Sequence, residues 1–141
     1  MEESKLMVID ASIIIKWLLE EQNGMEQAEK IQDDLIERNI KILIPGHCYM
    51  EVANTISRKA PELALNFISK LKVSTIREQI LNISKITLAL DLMKKYKKIS
   101  FYDAAYHALA ISEGATFVTA DEKYYETTKE QGNIMLLQNY C

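Results

Sequence analysis

Four acidic residues stand at positions where a parallel α/β fold would build a site. Asp10 directly follows the apolar run KLMVI, and Asp121 follows the apolar run FVT and one alanine. Ligands of open parallel sheets bind at the carboxyl ends of the strands, where we expect both residues to lie. Asp103 falls in the first turn of a predicted helix, and Glu51 interrupts the largely apolar stretch CYMEVA. The four carboxylates are therefore candidates for one shared site.

Each acid also has a structural explanation when it is taken alone. Aspartate before a helix is a common N-cap, worth about 1 kcal/mol, which suits Asp10 and Asp121. Asp103 completes a capping box that begins at Ser100. Glu51 also suits a solvated polar stripe on its helix, because polar residues follow it at helical spacing. Only convergence of the four acids favours chemistry over capping and solvation.

Convergence of four carboxylates favours a bound divalent cation. Two carboxylates about 4 Å apart repel by roughly 4 kcal/mol at an effective dielectric constant of 20, so a cation is the natural way to keep several of them ionised. An all-oxygen ligand set favours Mg²⁺ or Mn²⁺. Zinc is disfavoured, because the histidines and cysteines show no zinc-ligand spacing: His47, Cys48, His107 and Cys141. Metal sites of this kind usually act on phosphates.

Other phosphate chemistries lack the residues that they need. The sequence contains neither GxxxxGKS/T nor GxGxxG, which speaks against a P-loop or a dinucleotide fold. A phosphatase with an aspartyl nucleophile would have a second acid two residues after Asp10, where Ser12 stands. A cyclising ribonuclease would use a pair of histidines, and a lone histidine such as His107 is more often structural. Metal-activated water is the best-supported nucleophile.

Apolar periodicity predicts strands and helices in alternation. Short apolar runs predict strands at 5–9, 41–44, 73–76, 116–119 and 134–137. Helical spacing and cap signals predict helices at 12–20, 24–38, 47–59, 62–71, 80–96, 100–113 and 122–130. Strands separated by helices indicate an α/β fold with a mostly parallel central sheet of about five strands, flanked by helices. Three alanines, Ala104, Ala105 and Ala108, would let the helix of Asp103 pack close to that sheet.

Length, composition and charge exclude several classes of protein. The 141 residues suit a single domain, 1–141, and 48% hydrophobic with 26% charged residues is ordinary globular composition. Seventeen basic against twenty acidic residues give a net charge of -3, which excludes electrostatic coating of nucleic acid and leaves a local site. Two cysteines make no disulfide framework, and neither a secretion signal nor a long apolar run stands out. We therefore expect a cytoplasmic protein with no membrane segment.

Four short motifs, in this order, resemble the PIN domain family: VIDAS (8–12), EVANTISR (51–58), YDAAYHALA (102–110) and FVTAD (117–121). The resemblance runs from about residue 5 to residue 137. The length of the chain is similar to that of the VapC ribonuclease toxins of type II toxin–antitoxin pairs. The resemblance implies a PIN-like fold and a Mg²⁺- or Mn²⁺-dependent endoribonuclease that cleaves single-stranded RNA.

The resemblance also implies roles for particular residues. It places catalysis and metal binding on four acids, Asp10, Glu51, Asp103 and Asp121, and supporting polar roles on Ser12, Asn54 and Thr119. His107 stands where the family more often has an apolar or aromatic residue, so it receives no role. One or two metal ions held by the acids would activate water for in-line attack, which leaves a 5′-phosphate and a 3′-hydroxyl.

Basic and apolar residues suggest what binds the protein. Candidates to track an RNA backbone are Lys16, Arg58, Lys59 and the lysine cluster at 94–98, although that cluster equally suits the dipole of its helix. A toxin-like protein implies a small VapB-like antitoxin and a homodimer. Apolar residues near the N-terminus leave room for a partner groove, with core packing as the favoured use: Ile13, Ile14, Trp17, Leu18, Met25 and Ile31.

Two other functions stay open on the sequence alone. One is a PIN nuclease that acts in RNA processing without an antitoxin. The other is a catalytically silent PIN-like module that binds RNA or protein through the same cleft. The RNA target cannot be predicted from the sequence, because specificity in such sites depends on surface shape and loops.

Overall fold

Five parallel strands form the central sheet of the computed structural model, which describes residues 5–19 and 23–141. The strands are β1 (Lys5–Ile9), β2 (Ile40–Pro45), β3 (Arg77–Gln79), β4 (Thr116–Thr119) and β5 (Ile134–Leu136). Their order across the sheet is β3-β2-β1-β4-β5, and every neighbouring pair is parallel. The predicted α/β class with a parallel sheet of about five strands is confirmed.

Helices connect the strands, because parallel neighbours need a crossover between them. In the described ranges they are α1 (Ala11–Lys16), α2 (Met25–Ile36), α3 (His47–Lys59), α4 (Pro61–Val73), α5 (Ile83–Lys95), α6 (Phe101–Glu113) and α7 (Glu122–Thr128), with 3₁₀ turns at Lys129–Gln131 and Leu137–Asn139. The predicted helix 12–20 ends at Lys16, and its last residue lies outside the described residues. The predicted helix 80–96 begins only at Ile83, because the Asn82 side chain caps it. None of these helices is long and apolar enough to span a bilayer.

The predicted strand at 73–76 is wrong. Val73 is the last residue of α4, and the Ser74 hydroxyl donates to the Leu71 carbonyl at 2.6 Å where the helix ends. The third strand is instead Arg77–Gln79, which pairs with the end of β2. β3 lies at the edge of the sheet and is held there by backbone hydrogen bonds to β2. Because its side chains are polar, no apolar run marks this strand in the sequence. The sequence pattern therefore favoured the apolar residues just before it.

Helix α6 packs directly against the sheet. Ala104, Ala105 and Ala108 are fully buried, and α6 contacts β1, β2 and β4, as the alanine spacing predicts. Tyr106 of the same helix stacks on Phe117 of β4, with their ring centroids 5.7 Å apart. This close packing holds the start of α6 at the edge of the sheet.

Core packing accounts for most of the apolar residues that could have formed a partner groove near the N-terminus. Ile13, Ile14 and Ile31 are buried in the main core. Trp17 is half-buried, and its Nε1 donates to the Ala28 carbonyl at 2.8 Å. Leu18 and Met25 are half-buried as well. Core packing, the role that the sequence favoured for these residues, is therefore the role that the structure shows.

His107 is fully buried in α6 and ties that helix to the C-terminal part of the chain. Its Nε2 lies 2.8 Å from the Gly132 carbonyl oxygen, and its Nδ1 lies 2.8 Å from the Tyr124 hydroxyl. Because a carbonyl can only accept, Nε2 carries the proton and Nδ1 accepts from Tyr124. Burial lowers the pKa of His107, which favours the neutral ring. An imidazole with both nitrogens hydrogen-bonded in this way serves the fold.

Replacing His107 should therefore destabilise the protein through its hydrogen bonds. We expect His107→Ala to lower the free energy of unfolding by at least about 2 kcal/mol, because the Gly132 carbonyl and the Tyr124 hydroxyl lose their partner. His107→Gln offers one donor and one acceptor and should lose less. Urea unfolding of both variants tests this, and equal losses would contradict the hydrogen-bond explanation.

Candidate active site

Asp10 lies at the carboxyl end of β1 and is linked to the neighbouring strand β4. Because the two strands are adjacent and parallel, the residues that follow them leave the sheet at the same edge. Asp10 Oδ2 accepts a hydrogen bond from Thr119 Oγ1 at 3.1 Å. Its Oδ1 accepts from the Ser12 hydroxyl and, at 3.4 Å, from the Ile13 backbone N–H, so Asp10 also caps α1. One carboxylate thus serves as helix cap and as site residue.

Thr119 connects Asp10 to Asp121. Thr119 is buried, and its Oγ1, which donates to Asp10, accepts from the Asp121 backbone N–H at 3.1 Å. Asp121 Oδ1 accepts from the Tyr124 backbone N–H at 2.9 Å and caps α7. The threonine predicted to have a supporting role therefore fixes both aspartates in relation to each other.

Glu51 reaches the site from α3, where it is half-buried. Tyr106 donates its hydroxyl to Glu51 Oε1 at 3.1 Å, and His47 Nε2 lies 3.5 Å from the same oxygen. Among the described residues, His47 Nε2 has no hydrogen-bond partner, and burial lowers the pKa of its ring. Sequence reasoning assigned neither His47 nor Tyr106 to the site. The available signal was helical spacing, since His47 is four residues before Glu51 and Tyr106 three after Asp103.

Asp103 lies in the first turn of α6 and is half-buried. The Ser100 Oγ accepts from the Asp103 backbone N–H at 3.1 Å, so Ser100 caps α6 as predicted. A small cavity of about 190 Å³ opens beside Asp103 and Asp121, and two lysines, Lys98 and Lys123, share its walls. Lys98 ends the predicted lysine cluster, whereas Lys123 had no sequence signal for a site.

Like charges couple the four acids. Burial is the main cause that raises the pKa of Asp10, with the charge of Asp103 adding to it against the hydrogen bonds from Ser12 and Thr119. Burial also raises the pKa of Glu51, and the charges of Asp10 and Asp103 raise it further. Burial and then the charge of Asp121 raise the pKa of Asp103. The structure thus brings the four carboxylates within electrostatic reach of one another.

The chemistry of this donor set suits a hard divalent cation. Carboxylate oxygens are the ligands of Mg²⁺ and Mn²⁺, and a cation would offset the repulsion that raises these pKa values. Within residues 5–19 and 23–141, however, no three His, Cys, Asp or Glu side chains are arranged to hold an ion. The acids gather at one edge of the sheet without closing around one point. Metal binding therefore stays a prediction of the donor chemistry.

The remaining predicted site residues lie on α1 and α3. Lys16 is buried in the last turn of α1. Asn54 is exposed one turn after Glu51. Arg58 and Lys59 are exposed at the end of α3, roughly 10–12 Å along the helix from Glu51. The structure therefore does not bring Arg58 and Lys59 to the carboxylates.

A parallel α/β sheet with carboxylates gathered at its carboxyl edge is the arrangement that the four motifs imply. The family profile of the PIN domain matches residues 7–130, which is most of the chain. The chain belongs to the PIN domain family. Comparison with curated protein sequences gives no match.

Solved structures share this fold at low sequence identity. A toxin–antitoxin complex from Klebsiella pneumoniae is similar with a TM-score of 0.70 and 15% identity, over 93% of this chain and 97% of that one. VapBC2 from Rickettsia felis, bound to a DNA fragment from its promoter, has a TM-score of 0.69 and 18% identity, over 93% and 96% of the two chains. VapC20 from Mycobacterium tuberculosis, a toxin that cleaves the sarcin-ricin loop, has a TM-score of 0.68 and 13% identity, over 85% and 93%. At these identities the likeness establishes the fold.

The raised pKa of Asp10 predicts how Asp10→Asn changes stability without metal. Because the pKa of Asp10 is higher in the folded than in the unfolded state, ionising Asp10 destabilises the fold. This destabilisation is absent below the unfolded pKa of about 3.8, and it grows as the pH rises toward the folded pKa. Asparagine avoids that cost and can keep hydrogen bonds to Ser12, Ile13 and Thr119. We expect Asp10→Asn to be the more stable protein at neutral pH in a chelator.

Urea unfolding between about pH 4 and about pH 8 tests this expectation. The stability of Asp10→Asn minus that of the wild type should grow with pH and then level off. Asp91→Asn, which removes an exposed acid of α5, controls for the loss of one charge. A difference that stays flat or shrinks with rising pH would contradict a raised pKa of Asp10 in the folded protein.

Proposed function

We propose that the chain is a divalent-metal-dependent endoribonuclease that cleaves single-stranded RNA, and that it is the VapC-like toxin of a toxin–antitoxin pair. The observation that carries the proposal is the gathering of Asp10, Glu51, Asp103 and Asp121 at the carboxyl edge of the sheet, where the charge of one acid raises the pKa of the next. Membership of the PIN family supports it. So does the fold shared with VapC20, which cleaves the sarcin-ricin loop.

The residues of the site have distinct tasks in this mechanism. The four acids would hold Mg²⁺ or Mn²⁺, which supplies an activated water and charge stabilisation for in-line phosphodiester hydrolysis. Thr119 and Ser12 orient the Asp10 carboxylate, and the Tyr106 hydroxyl orients Glu51. Because water attacks in place of the ribose hydroxyl, the products carry a 5′-phosphate and a 3′-hydroxyl.

Lysines beside the acids would hold the phosphates of the RNA. Lys98 and Lys123 line the small cavity together with Asp103 and Asp121. Both lysines are exposed, so their charges can meet a polyanion that approaches an otherwise acidic centre. This local arrangement serves a protein whose net charge of -3 does not attract RNA as a whole.

The proposed partner is a small VapB-like antitoxin that covers the site. The similar structures from K. pneumoniae and R. felis are of toxin–antitoxin proteins. Met50 and Tyr102 are 74% and 61% exposed, and they adjoin Glu51 and Asp103 in sequence, so they supply apolar surface at the rim of the site. A segment that packed on them would exclude RNA. The proposal includes a homodimer and a cytoplasmic location, where the RNA substrate is found.

Cleavage assays test the nuclease directly. The purified chain should cut single-stranded RNA with Mn²⁺ or Mg²⁺ and lose activity in a chelator. Asp10→Asn and Asp103→Asn should lower the rate on the order of 100-fold or more, because each removes a proposed metal ligand. Asp91→Asn should cleave like the wild type. Products that end in a 2′,3′-cyclic phosphate would refute attack by water.

Metal binding should also be measurable without cleavage. Mn²⁺ should raise the melting temperature of the wild type, because an ion that binds only the folded state stabilises it. The same addition should leave Asp10→Asn nearly unchanged. RNA binding without cleavage under any metal would favour a catalytically silent module.

The toxin role predicts an effect on cells. Expression of the chain alone in a bacterial host should arrest growth, because uncontrolled RNA cleavage is toxic, and Asp10→Asn at the same expression level should not. Normal growth with an active wild-type enzyme in the same cells would favour a PIN nuclease of RNA processing that has no antitoxin.

A further inference from the structure

A second, larger cavity borders the proposed active site and has no task in the mechanism above. Its volume is about 950 Å³, within the range of about 300–1,000 Å³ that ligand sites occupy. Side chains from four parts of the fold line it: Lys16 from α1, Asn23 and Gln27 from just before α2 and its first turn, Glu122 from α7, and Leu137 and Gln138 after β5. Ala120 and Glu122 both line it, so Asp121 lies between two of its wall residues.

The two cavities lie on different sides of Asp121. Along the chain that leaves β4, Ala120 and Glu122 line the large cavity, whereas Asp121 and Lys123 line the small one. The turn that carries Asp121 therefore separates them. A single strand that crosses this turn with a phosphate at the acids would place neighbouring nucleotides toward the two cavities.

The walls of the large cavity suit a nucleobase better than a phosphate. Three amide side chains, those of Asn23, Gln27 and Gln138, each offer donors and an acceptor, and the Glu122 carboxylate offers acceptors only. Amides and carboxylates are among the groups that read base edges, whereas a phosphate would meet the negative charge of Glu122. Among the described residues that line it, Lys16 is the one cation.

One wall of the cavity is apolar and tightly packed where Leu137 meets Gly24. Leu137 is buried, and a Cβ built on Gly24 would lie 2.8 Å from its Cδ2 and 3.6 Å from Lys16 Cε. Gly24 therefore lets the start of α2 approach Leu137 closely. An apolar wall residue together with three amide side chains suits a base, which has apolar faces and hydrogen-bonding edges.

We propose that the large cavity binds one nucleobase of the RNA, next to the cleaved phosphate, and thereby sets the base preference of cleavage. This inference rests on the proposed endoribonuclease function and names the part of the substrate that the site reads. If the cavity instead held a side chain of the antitoxin, the base preference of cleavage would not depend on the amide side chains of Asn23, Gln27 and Gln138.

The test compares single-stranded RNAs that differ in one base on either side of a common cleavage site. With Mn²⁺, the wild type should prefer one base at one of these positions on the order of 10-fold in kcat/KM, the discrimination of a good hydrogen-bonded base contact. Gln27→Ala and Gln138→Ala should reduce that preference to about threefold or less and leave the least favoured RNA unchanged. Gln32→Ala, on the same helix but outside the cavity, should keep the preference.

A binding assay separates failure of this inference from failure of the nuclease proposal. Anisotropy of labelled tetranucleotides, measured with the metal-free chain in a chelator, should show the same base preference and its loss in Gln27→Ala. If the wild type cuts RNA but the two glutamine variants keep its preference, or lose activity on all RNAs equally, the cavity assignment is wrong and the nuclease stands. If the wild type cuts nothing yet shows the amide-dependent preference in binding, the nuclease proposal is wrong and the cavity stands. No base preference in either assay would overturn the cavity assignment.

Discussion

The hydrogen bond from Thr119 to Asp10 joins residues 109 positions apart and holds the two central strand ends together at the site. The same threonine oxygen accepts from the Asp121 backbone N–H, so one buried hydroxyl links the Asp10 carboxylate to the backbone of Asp121. This contact exists only because β1 and β4 are adjacent and parallel. Parallel neighbours require crossovers, and the chain between these strands supplies them as α1 to α6. Helices α3 and α6, which carry Glu51 and Asp103, are thus part of the chain that connects β1 to β4 and lets Asp10 meet Thr119.

Capping and site building are carried out by the same atoms. Asp10 and Asp121 cap α1 and α7, and those contacts hold each carboxylate at the edge of the sheet. Ser100 caps α6 and hydrogen-bonds Asp103 in the same way. The burial that raises the pKa of Asp10 costs folding free energy, and the hydrogen bonds from Ser12 and Thr119 offset part of it. For Asp10 and Asp121 the structural and the functional explanation are therefore compatible, because the helix cap also fixes the carboxylate at the edge of the sheet.

An acidic centre that acts on RNA, as we propose for this chain, must still attract a polyanion. Positive charge is available close to the acids. Lys98 and Lys123 line the small cavity with Asp103 and Asp121, and Lys16 lines the large cavity on the other side of the turn that carries Asp121. The net charge of -3 therefore describes the surface as a whole and not the site. It excludes coating of nucleic acid and is compatible with binding at one edge of the sheet.

The sequence by itself determined the α/β class, most helices and strands, and the positions of the four acids. Apolar runs and caps are local patterns, so KLMVI before Asp10 and FVT before Asp121 indicate strand ends directly. The sequence did not predict edge strand β3, because this strand is defined by backbone pairing with β2 and its polar side chains show no apolar periodicity. Only the tertiary structure decided that Tyr106 contacts Glu51, that Lys123 stands beside the acids, and that Arg58 does not. Those facts depend on how α3, α6 and α7 are rotated against the sheet, and that rotation is set by packing between residues far apart in the chain.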